Sequence, residues 1–331
     1  MRQPTPLPRE LRPLDTPYLH LLDRVTIDPV FVMGLHRSGT TVLSLCMLAT
    51  ACFNTTTMYN MLYRRCLLHL HLHPQEGAAR RKELADYFES RNLVTRTYDG
   101  IGVGPDAPEE YGEALGNKGR QPLLNARNLP GFMELARKIQ YVDGQERLLL
   151  LKNPWNARHF LYLAEAFPTA RFVFIHRSPL EIIDSQIRMF ASLLQERNEY
   201  ELLLVDWYGE LFEQPWKVKL GQWIYGENSP YLYWKIVRHV TRTCEYMRVH
   251  RQALGARAMD ITYQDLCAQP LETMRRVTTF LDLQPAREPD YAQFIAPRTR
   301  PLLPHVARNR TKIERATARY VEEFGLSSRK P

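Results

Sequence analysis

A glycine-bounded loop carries the residues best suited to bind an anion. Residues 33–41 (MGLHRSGTT) follow the apolar run 30–32 and lead into a second apolar run, 42–49. This pattern predicts a strand, a loop and the start of a helix, in that order. Backbone N–H groups at a helix N-terminus lack intrahelical partners and carry the positive end of the helix dipole, so a bound phosphate or sulfate group satisfies them.

The loop differs at one position from the phosphate-binding loop of nucleotide-hydrolysing enzymes. Gly34 and Gly39 have the spacing of that loop, but Thr40 stands where its lysine belongs. This difference argues against an ordinary magnesium-dependent nucleoside triphosphatase. A plain glycine-serine turn between a strand and a helix is the alternative interpretation of the loop taken alone.

Two further strands are predicted to end in basic residues. Residues 148–151 (LLLL) form an apolar run before Lys152, and residues 171–176 (RFVFIH) form another before Arg177. Ligands of open α/β sheets gather at the carboxyl ends of the strands. Lys152 and Arg177 are therefore candidate anion ligands.

The segment after Arg177 has the signals of a helix start. Ser178 is expected to be the N-cap residue, Pro179 the first helical residue and Glu181 the partner that completes a capping box. Ser185 follows two turns beyond Ser178, roughly 10 Å along the helix. Arg177 and Ser185 are thus expected to hydrogen-bond one phosphate group together.

These motifs resemble those of the sulfotransferases that use 3′-phosphoadenosine 5′-phosphosulfate (PAPS) as donor. The resemblance is closer to the bacterial and tyrosylprotein-type branch than to the cytosolic phenol and steroid branch. It extends over about residues 29–283 and rests on the first loop, on Arg177 with Ser185, and on segments 151–154 (LKNP), 167–173 (FPTARFV) and 261–270 (ITYQDLCAQP).

The resemblance implies a role for each of these residues. The loop residues would hold the 5′-phosphosulfate, and they are Arg37, Ser38, Gly39, Thr40 and Thr41. Arg177 and Ser185 would hold the 3′-phosphate, and Lys152 would stabilise the leaving group. Sulfuryl transfer, by analogy with phosphoryl transfer, needs mainly positioning and stabilisation of growing negative charge. The planar guanidinium of Arg37 suits that task, and cationic side chains replace a metal ion.

The general base is less well specified. The branch has a glutamate where this chain has Met58 and Tyr59. A Gly/Pro-rich loop, residues 98–110, offers four carboxylates, which are Asp99, Asp106, Glu109 and Glu110. A similar Pro-x-Glu stretch in related bacterial proteins favours Glu109 and Glu110, and Glu110 is the candidate base; acids in the first turn of a helix are the alternative. His36 either reaches the acceptor or packs against the loop.

A run of alternating histidines suggests a metal site at first sight. His69, His71 and His73 would share one face if residues 69–73 formed a strand. A second cluster with ligand spacing does not follow nearby, so a polar surface face is preferred to zinc. We therefore expect no metal in this protein.

The formal charge of +8 over 331 residues suits an anionic donor or a nucleic acid. Basic residues accumulate near the C-terminus, at Arg298, Arg300, Arg308, Arg310, Lys312, Arg315 and Arg319. Glutamates interleave with them and a nucleic-acid module is not recognised, so nucleic acid is not expected as a partner. The resemblance implies that Arg308, Arg310 or Lys312 folds over the 3′-phosphate, and a solvated terminal helix is the alternative.

The sequence predicts a single three-layer α/β domain over residues 29–331, with a P-loop-like fold, a mostly parallel central sheet and helical inserts. Residues 1–28 form an N-terminal arm, and inserts 51–145 and 190–255 supply the acceptor pocket. In the second insert Trp234, Val237 and Cys244 are expected in a helical core. No apolar run is long enough to span a membrane, the start lacks a signal peptide and the five cysteines form no CxxC pair, so a cytoplasmic enzyme is expected.

The predicted function is transfer of a sulfuryl group from PAPS to a hydroxyl or amine of an acceptor, with PAP as the second product. A small molecule, lipid, carbohydrate or peptide is the expected acceptor. One alternative is a P-loop kinase that uses ATP, which Thr40 disfavours. The other is a nucleotide-binding module without turnover, which the poorly specified base keeps open.

Overall fold

The computed structural model describes residues 12–96, 100–115, 122–195, 197–204, 206–286, 288–296 and 300–326. The expectations for Asp99 and Arg298 lie outside these ranges, as does the arm before residue 12. Five strands form one sheet in the order β2-β3-β1-β4-β5. They are β1 (Pro29–Met33), β2 (Phe53–Thr55), β3 (Leu148–Lys152), β4 (Arg171–His176) and β5 (Ala258–Thr262).

Helices account for most of the remaining chain. The first eight are α1 (Thr40–Ala49), α2 (Met58–Leu62), α3 (Leu67–Leu72), α4 (Pro74–Ser90), α5 (Leu129–Asp143), α6 (Phe160–Ala166), α7 (Pro179–Ser192) and α8 (Glu201–Leu204). The others are α9 (Asp206–Phe212), α10 (Pro215–Tyr225), α11 (Pro230–His250), α12 (Tyr263–Ala268), α13 (Pro270–Phe280), α14 (Pro304–Arg308) and α15 (Arg310–Glu323). Short 3₁₀ helices cover Thr16–Leu22, Tyr111–Leu115, Pro154–Arg158, Arg251–Arg257 and Tyr291–Phe294. Within the described ranges, none of the helices has the length and apolar character to cross a bilayer.

β1 pairs in parallel with β4, β2 with β3 and β4 with β5, and β1, β3 and β4 are almost wholly buried. Val30 of β1 lies opposite Arg171 of β4, and Phe172 lies opposite Ala258 of β5. Every residue of β1 is buried, as is all of β4 after Arg171. Strands covered on both faces read as continuous apolar runs rather than as alternating ones. The predicted strands and the α/β fold with a mostly parallel sheet flanked by helices are confirmed.

The chain forms two compact units, the first of which comprises Met1–Pro29, Phe53–Leu151 and Asn198–Glu210. In it Leu22, Val25 and Leu68 are buried together. The buried Lys138 ammonium lies 2.8 Å from the Asp15 carboxylate, and both side chains are at most 3% exposed. Asp15 also accepts a hydrogen bond of 2.9 Å from the His69 backbone N–H at the start of α3. The described part of the N-terminal arm is thus fixed to this unit.

The histidine run is helical, so the strand that a shared histidine face would require is not present. α3 ends at Leu72 and His73 is its C-cap residue. Alternate residues lie about 200° apart around a helix, so His71 does not share a face with His69. The rings of His69 and His73, one turn apart, stack at 4.1 Å. Groups of three or more His, Cys, Asp and Glu suited to a metal ion do not occur among the described residues.

The second unit comprises Val30–Cys52, Lys152–Arg197 and Leu211–Pro331. Its long helix α11 packs against α7 and α15 through a buried face that includes Ile236, Val240 and Cys244. The expected core position is confirmed for Cys244. It is wrong for Trp234, which is 54% exposed because it lies on the outer face of α11.

Candidate anion-binding site

The loop between β1 and α1 has the backbone shape of an anion cradle. Arg37 has φ of 71° and Gly39 has φ of 107°, so both lie in the left-handed region. Gly39 is the N-cap residue of α1, which begins at Thr40. Such turns direct successive N–H groups into one concavity at the positive end of the helix dipole. A Cβ on Gly34 would lie only 2.5 Å from the Ser38 hydroxyl oxygen, so the close loop requires glycine there.

Ser38 gives direct evidence that the cradle suits a bound anion. The residue is 1% exposed, and its Oγ has no hydrogen-bond partner within the described part of the chain. A buried hydroxyl without a partner is costly, and an anion oxygen would accept its hydrogen bond. The residues present therefore fit a phosphate or sulfate group.

Two consecutive residues of helix α7 hold this loop by hydrogen bonds. Ser185 Oγ accepts a hydrogen bond of 3.0 Å from Arg37 Nε, and the Gln186 side chain donates one of 2.8 Å to the His36 carbonyl. Arg177, just before the helix, donates one of 3.1 Å to the Arg37 carbonyl. These bonds hold Arg37 in its unusual backbone conformation. The sequence analysis missed Gln186, for which the adjacency to Ser185 was the available signal.

Arg177 is held in place by two further partners. Its guanidinium lies 2.8 Å from the Glu181 carboxylate and 4.5 Å from the ring centre of Tyr263. The predicted capping box is therefore wrong. Glu181 is occupied by the arginine, and Ser178, although in the N-cap position, makes no capping hydrogen bond with its side chain to any described residue.

Tyr263 is a second site residue that the sequence analysis left without a role. A Cβ on Gly39 would lie 2.4 Å from its ring, so the ring packs directly on the loop. Burial, together with a hydrogen bond that the Tyr263 hydroxyl donates to Cys267, raises the pKa of that hydroxyl. The phenol is therefore neutral and adds no negative charge beside the arginines.

Lys152 lies where β3 ends and α1 begins. Its side chain is buried, with 8% of the residue exposed, and Nζ donates a hydrogen bond of 3.1 Å to Thr41 Oγ1. Lys152 therefore contacts the last residue of the loop segment, as its assigned role requires. A buried ammonium at a helix N-terminus adds to the positive potential of the cradle.

The His36 ring packs against Trp155, which follows β3, and not only against its own loop. Its ring meets that of Trp155 edge-on, with centroids 4.6 Å apart. Trp155 follows Asn153, whose side chain accepts a hydrogen bond of 3.2 Å from its backbone N–H. A catalytic role for His36 stays a prediction.

The candidate carboxylates belong to the first unit and differ in environment. Glu109 forms a buried ion pair of 2.7 Å with Arg96, each side chain 2% exposed, and also accepts a hydrogen bond from the Tyr200 hydroxyl. The Glu109 carboxylate is therefore engaged by two partners in the interior of the unit, whereas Glu110 is only half-buried. Burial, with the charges of Glu110 and Glu201, raises the pKa of Glu113 to about 7. Asp106, the other described candidate, is exposed and pairs with Arg81.

The end of β4 is anchored by a buried histidine directly before Arg177. The His176 ring is hydrogen-bonded to the Tyr320 hydroxyl at 2.7 Å and to the Asp260 carboxylate at 3.0 Å. Burial lowers the pKa of His176 and the bond to Asp260 only partly opposes this. Asp260 is paired in turn with Arg251 at 2.7 Å. This network fixes the strand end from which Arg177 projects.

The C-terminal segment docks beside Ser185. Asp184 accepts a hydrogen bond of 2.6 Å from the Leu303 N–H, and Arg188 donates one of 2.9 Å to the Pro301 carbonyl. Of the basic residues expected over the 3′-phosphate, Arg310 pairs with Glu314 at 3.0 Å on α15. α14 and α15 pack against α7. The late basic segment therefore lies on the helix that carries Ser185.

A mostly parallel sheet with a glycine-bounded anion loop between its first strand and first helix defines a protein of the phosphate-binding-loop class. The sequence profile of the sulfotransferase family matches residues 29–287, and the chain belongs to this family. The match does not separate the branches of the family, so likeness to the tyrosylprotein-type branch stays a prediction.

Solved structures agree with this assignment at the level of the fold. Sulfotransferase STF1 from Mycobacterium tuberculosis H37Rv is similar with a TM-score of 0.56 and 19% identity, over 92% of this chain and 80% of that one. Sulfotransferase STF9 from Mycobacterium avium is similar with a TM-score of 0.55 and 16% identity, over 96% of this chain and 81% of that one. A comparison with curated proteins finds no match.

Proposed function

We propose that this protein transfers a sulfuryl group from PAPS to a hydroxyl or amine of an acceptor and releases PAP. Membership of the sulfotransferase family supports sulfuryl transfer in general. The observation that carries the choice of donor is the bond between Arg37 and Ser185, which joins the loop to α7. Two adjoining sets of anion ligands suit a nucleotide with phosphate groups on both its 5′ and its 3′ side.

The loop would bind the 5′-phosphosulfate of the donor. Its ligands would be the Ser38 hydroxyl, the Arg37 guanidinium and the N–H groups that open α1, at Gly39, Thr40 and Thr41. Arg177 and Ser185 would bind the 3′-phosphate, with the late residues Arg308, Arg310 and Lys312 as further candidates. An arginine fork with a hydroxyl donor is a strong and directional phosphate ligand.

Bound PAPS supplies an activated sulfuryl group, and the protein positions it and stabilises the charge. The acceptor oxygen or nitrogen attacks sulfur while the bond from sulfur to the bridging oxygen breaks. Lys152 would donate a hydrogen bond to that bridging oxygen as negative charge grows on it. Its bond to Thr41 orients the ammonium toward the start of α1.

Glu110 is the proposed base that takes the proton of the acceptor, and His36 is the second candidate. The acceptor pocket is assigned to segments 51–145 and 190–255, and the enzyme to the cytoplasm. These assignments rest on the resemblance to the family and on composition.

Calorimetry of the whole chain with PAP, and separately with ATP and Mg²⁺, tests the proposal. We expect saturable binding of PAP without added metal and a loss of affinity in Arg177→Ala. Binding of ATP with Mg²⁺ in place of PAP would instead favour the kinase-like alternative. Conversion of PAPS to PAP is then followed with a panel of phenols, alcohols and amines. PAP binding without any conversion across that panel would favour the module without turnover.

A further inference from the structure

Helix α10 presents an apolar stripe that the rest of its unit leaves exposed. All eleven residues of α10 are described and none of them is buried. Trp216, Leu220 and Trp223 are 62%, 46% and 78% exposed. Their i, i+4, i+7 spacing places them within about 60° of the helix circumference at about 100° per residue. Large apolar side chains gathered in this way mark an interaction surface.

The opposite side of α10 lies on the protein. The Gln222 side chain donates a hydrogen bond of 2.8 Å to the Leu194 carbonyl at the end of α7. A Cβ on Gly221 would lie 3.4 Å from the Leu194 side chain, which is ordinary contact. The helix therefore has one face seated on its unit and its tryptophan face turned outward.

The exposed stripe is flanked by positive charge. α10 has the sequence PWKVKLGQWIY, with two lysines and no acidic residue. At about 100° per residue, Lys217 and Lys219 fall on opposite sides of the stripe. The stripe itself carries no charge, as in helices that lie in the interface of a membrane with basic residues beside an apolar face.

The adjoining helix α11 also exposes aromatic side chains beside basic ones. Tyr231 and Trp234, 48% and 54% exposed, lie on its outer face. The Lys235 ammonium is 5.2 Å from the ring centre of Tyr225 and 5.8 Å from that of Tyr231. The Arg238 guanidinium is 4.9 Å from the ring centre of Trp234. Aromatic rings beside cationic groups are typical of the boundary between lipid headgroups and acyl chains.

We propose that the exposed faces of α10 and α11 form a docking surface for a bilayer that contains anionic lipids. The tryptophan stripe would enter the headgroup region while Lys217, Lys219, Lys235 and Arg238 pair with lipid phosphates. Charge favours this partner over a second copy of the chain, because two such surfaces would repel each other. It favours lipid over nucleic acid because the outermost side chains are apolar rather than basic.

Sedimentation of the whole protein with vesicles of phosphatidylglycerol and phosphatidylcholine in equal parts tests the proposal. The double variant Trp216→Ser/Trp223→Ser should bind at least about tenfold more weakly than the wild type. Lys219→Glu/Lys235→Glu should lose at least about fivefold for each basic side chain removed, and added salt should lower wild-type binding. Vesicles of phosphatidylcholine alone should bind the wild type far less.

Matched controls are available on α13 of the same unit. Leu271→Ser removes an apolar side chain that is 39% exposed, and Arg276→Glu reverses an exposed basic one. Both should bind vesicles like the wild type, and all variants should keep its melting temperature because every substituted side chain is exposed.

Three results would overturn the proposal. One is equal vesicle binding by the wild type and the double tryptophan variant, or none by either. Another is a dimer in light scattering that the tryptophan variant dissociates while vesicles stay unbound. The third is tryptophan-dependent binding to duplex DNA in the absence of vesicle binding.

Discussion

Arg37 and Ser185 are joined by a hydrogen bond of 3.0 Å although 148 residues separate them in the chain. The arginine belongs to the loop before α1, and the serine lies on the second turn of α7. Through this bond, the proposed ligands of the 5′ and 3′ groups of the donor share one hydrogen-bonded network. A ligand that engages either residue acts on the other through it.

Ser185→Ala should weaken PAP binding about tenfold, because the variant loses a hydrogen bond to a charged phosphate and leaves Arg37 Nε without this acceptor. Calorimetry measures the change. Ser192→Ala on the same helix is the matched control, since Ser192 Oγ donates a local hydrogen bond of 2.8 Å to the Met189 carbonyl. Equal affinities of the two variants would remove Ser185 from the proposed 3′-phosphate site.

Lys152→Ala should reduce the release of PAP from PAPS by about 10²- to 10³-fold, the usual effect of removing one group that stabilises growing charge. Affinity for the donor PAPS should fall much less, because the bridging oxygen gains its full charge only during transfer. Chromatographic measurement of PAP with the acceptor panel gives the rate. A wild-type rate in this variant contradicts the assigned role.

Gly39→Ala should impair both stability and PAP binding. Alanine at φ of 107° is strained, and its Cβ would lie 2.4 Å from the Tyr263 ring, so we expect a loss of about 2 kcal/mol. Urea unfolding and PAP calorimetry measure the two effects. Gly131→Ala, inside α5 and with no atom within 4 Å of the added Cβ, is the control. It should leave PAP binding unchanged and should not lower stability, because alanine is a better helix former than glycine.

Glu113 should make stability depend on pH. Burial raises its pKa in the folded protein to about 7 from the ordinary value of 4.5. The folded state therefore binds the proton more tightly, and its stabilising contribution is complete below about pH 4.5 and lost as the pH rises through 7. Glu113→Gln should thus gain on the order of 2 kcal/mol over the wild type at pH 8 and little at pH 4.5.

Urea unfolding at the two pH values checks this. The control is Glu322→Gln, at an exposed position on α15. A pH-independent difference between Glu113→Gln and the wild type would show that the glutamate does not titrate in this way.

Glu109 and Glu110 should respond differently to the same substitution. Glu109→Gln removes the negative charge that lies 2.7 Å from the buried Arg96 guanidinium, so the free energy of unfolding should drop by about 3 kcal/mol. Glu110→Gln should keep stability within about 0.5 kcal/mol of the wild type and lower the rate of PAP release, as expected for the proposed base. Urea unfolding and the PAP assay separate the two effects. Unchanged PAP release in Glu110→Gln leaves His36 as the candidate.

The strands and the loop were predictable because their signals are local. Uninterrupted apolar runs mark β1, β3 and β4 as buried strands, and Gly34 and Gly39 mark the loop. The conformation of the histidine run was not predictable, because a five-residue alternation fits a strand and a short helix alike. The capping box misled because Glu181 had a stronger partner in Arg177, whose charge outweighs a single backbone N–H.

The sequence by itself determined three strands of the sheet, the glycine-bounded loop and the basic residues at the strand ends, since each depends on neighbours within a few positions. Only the tertiary structure decided which distant groups meet. It placed Gln186 on the His36 carbonyl, the Tyr263 ring on Gly39, and Arg96 against Glu109. Such contacts depend on how helices, strands and loops pack against one another. Which partner a side chain meets is set by that packing, and the residues next to it in the sequence do not specify it.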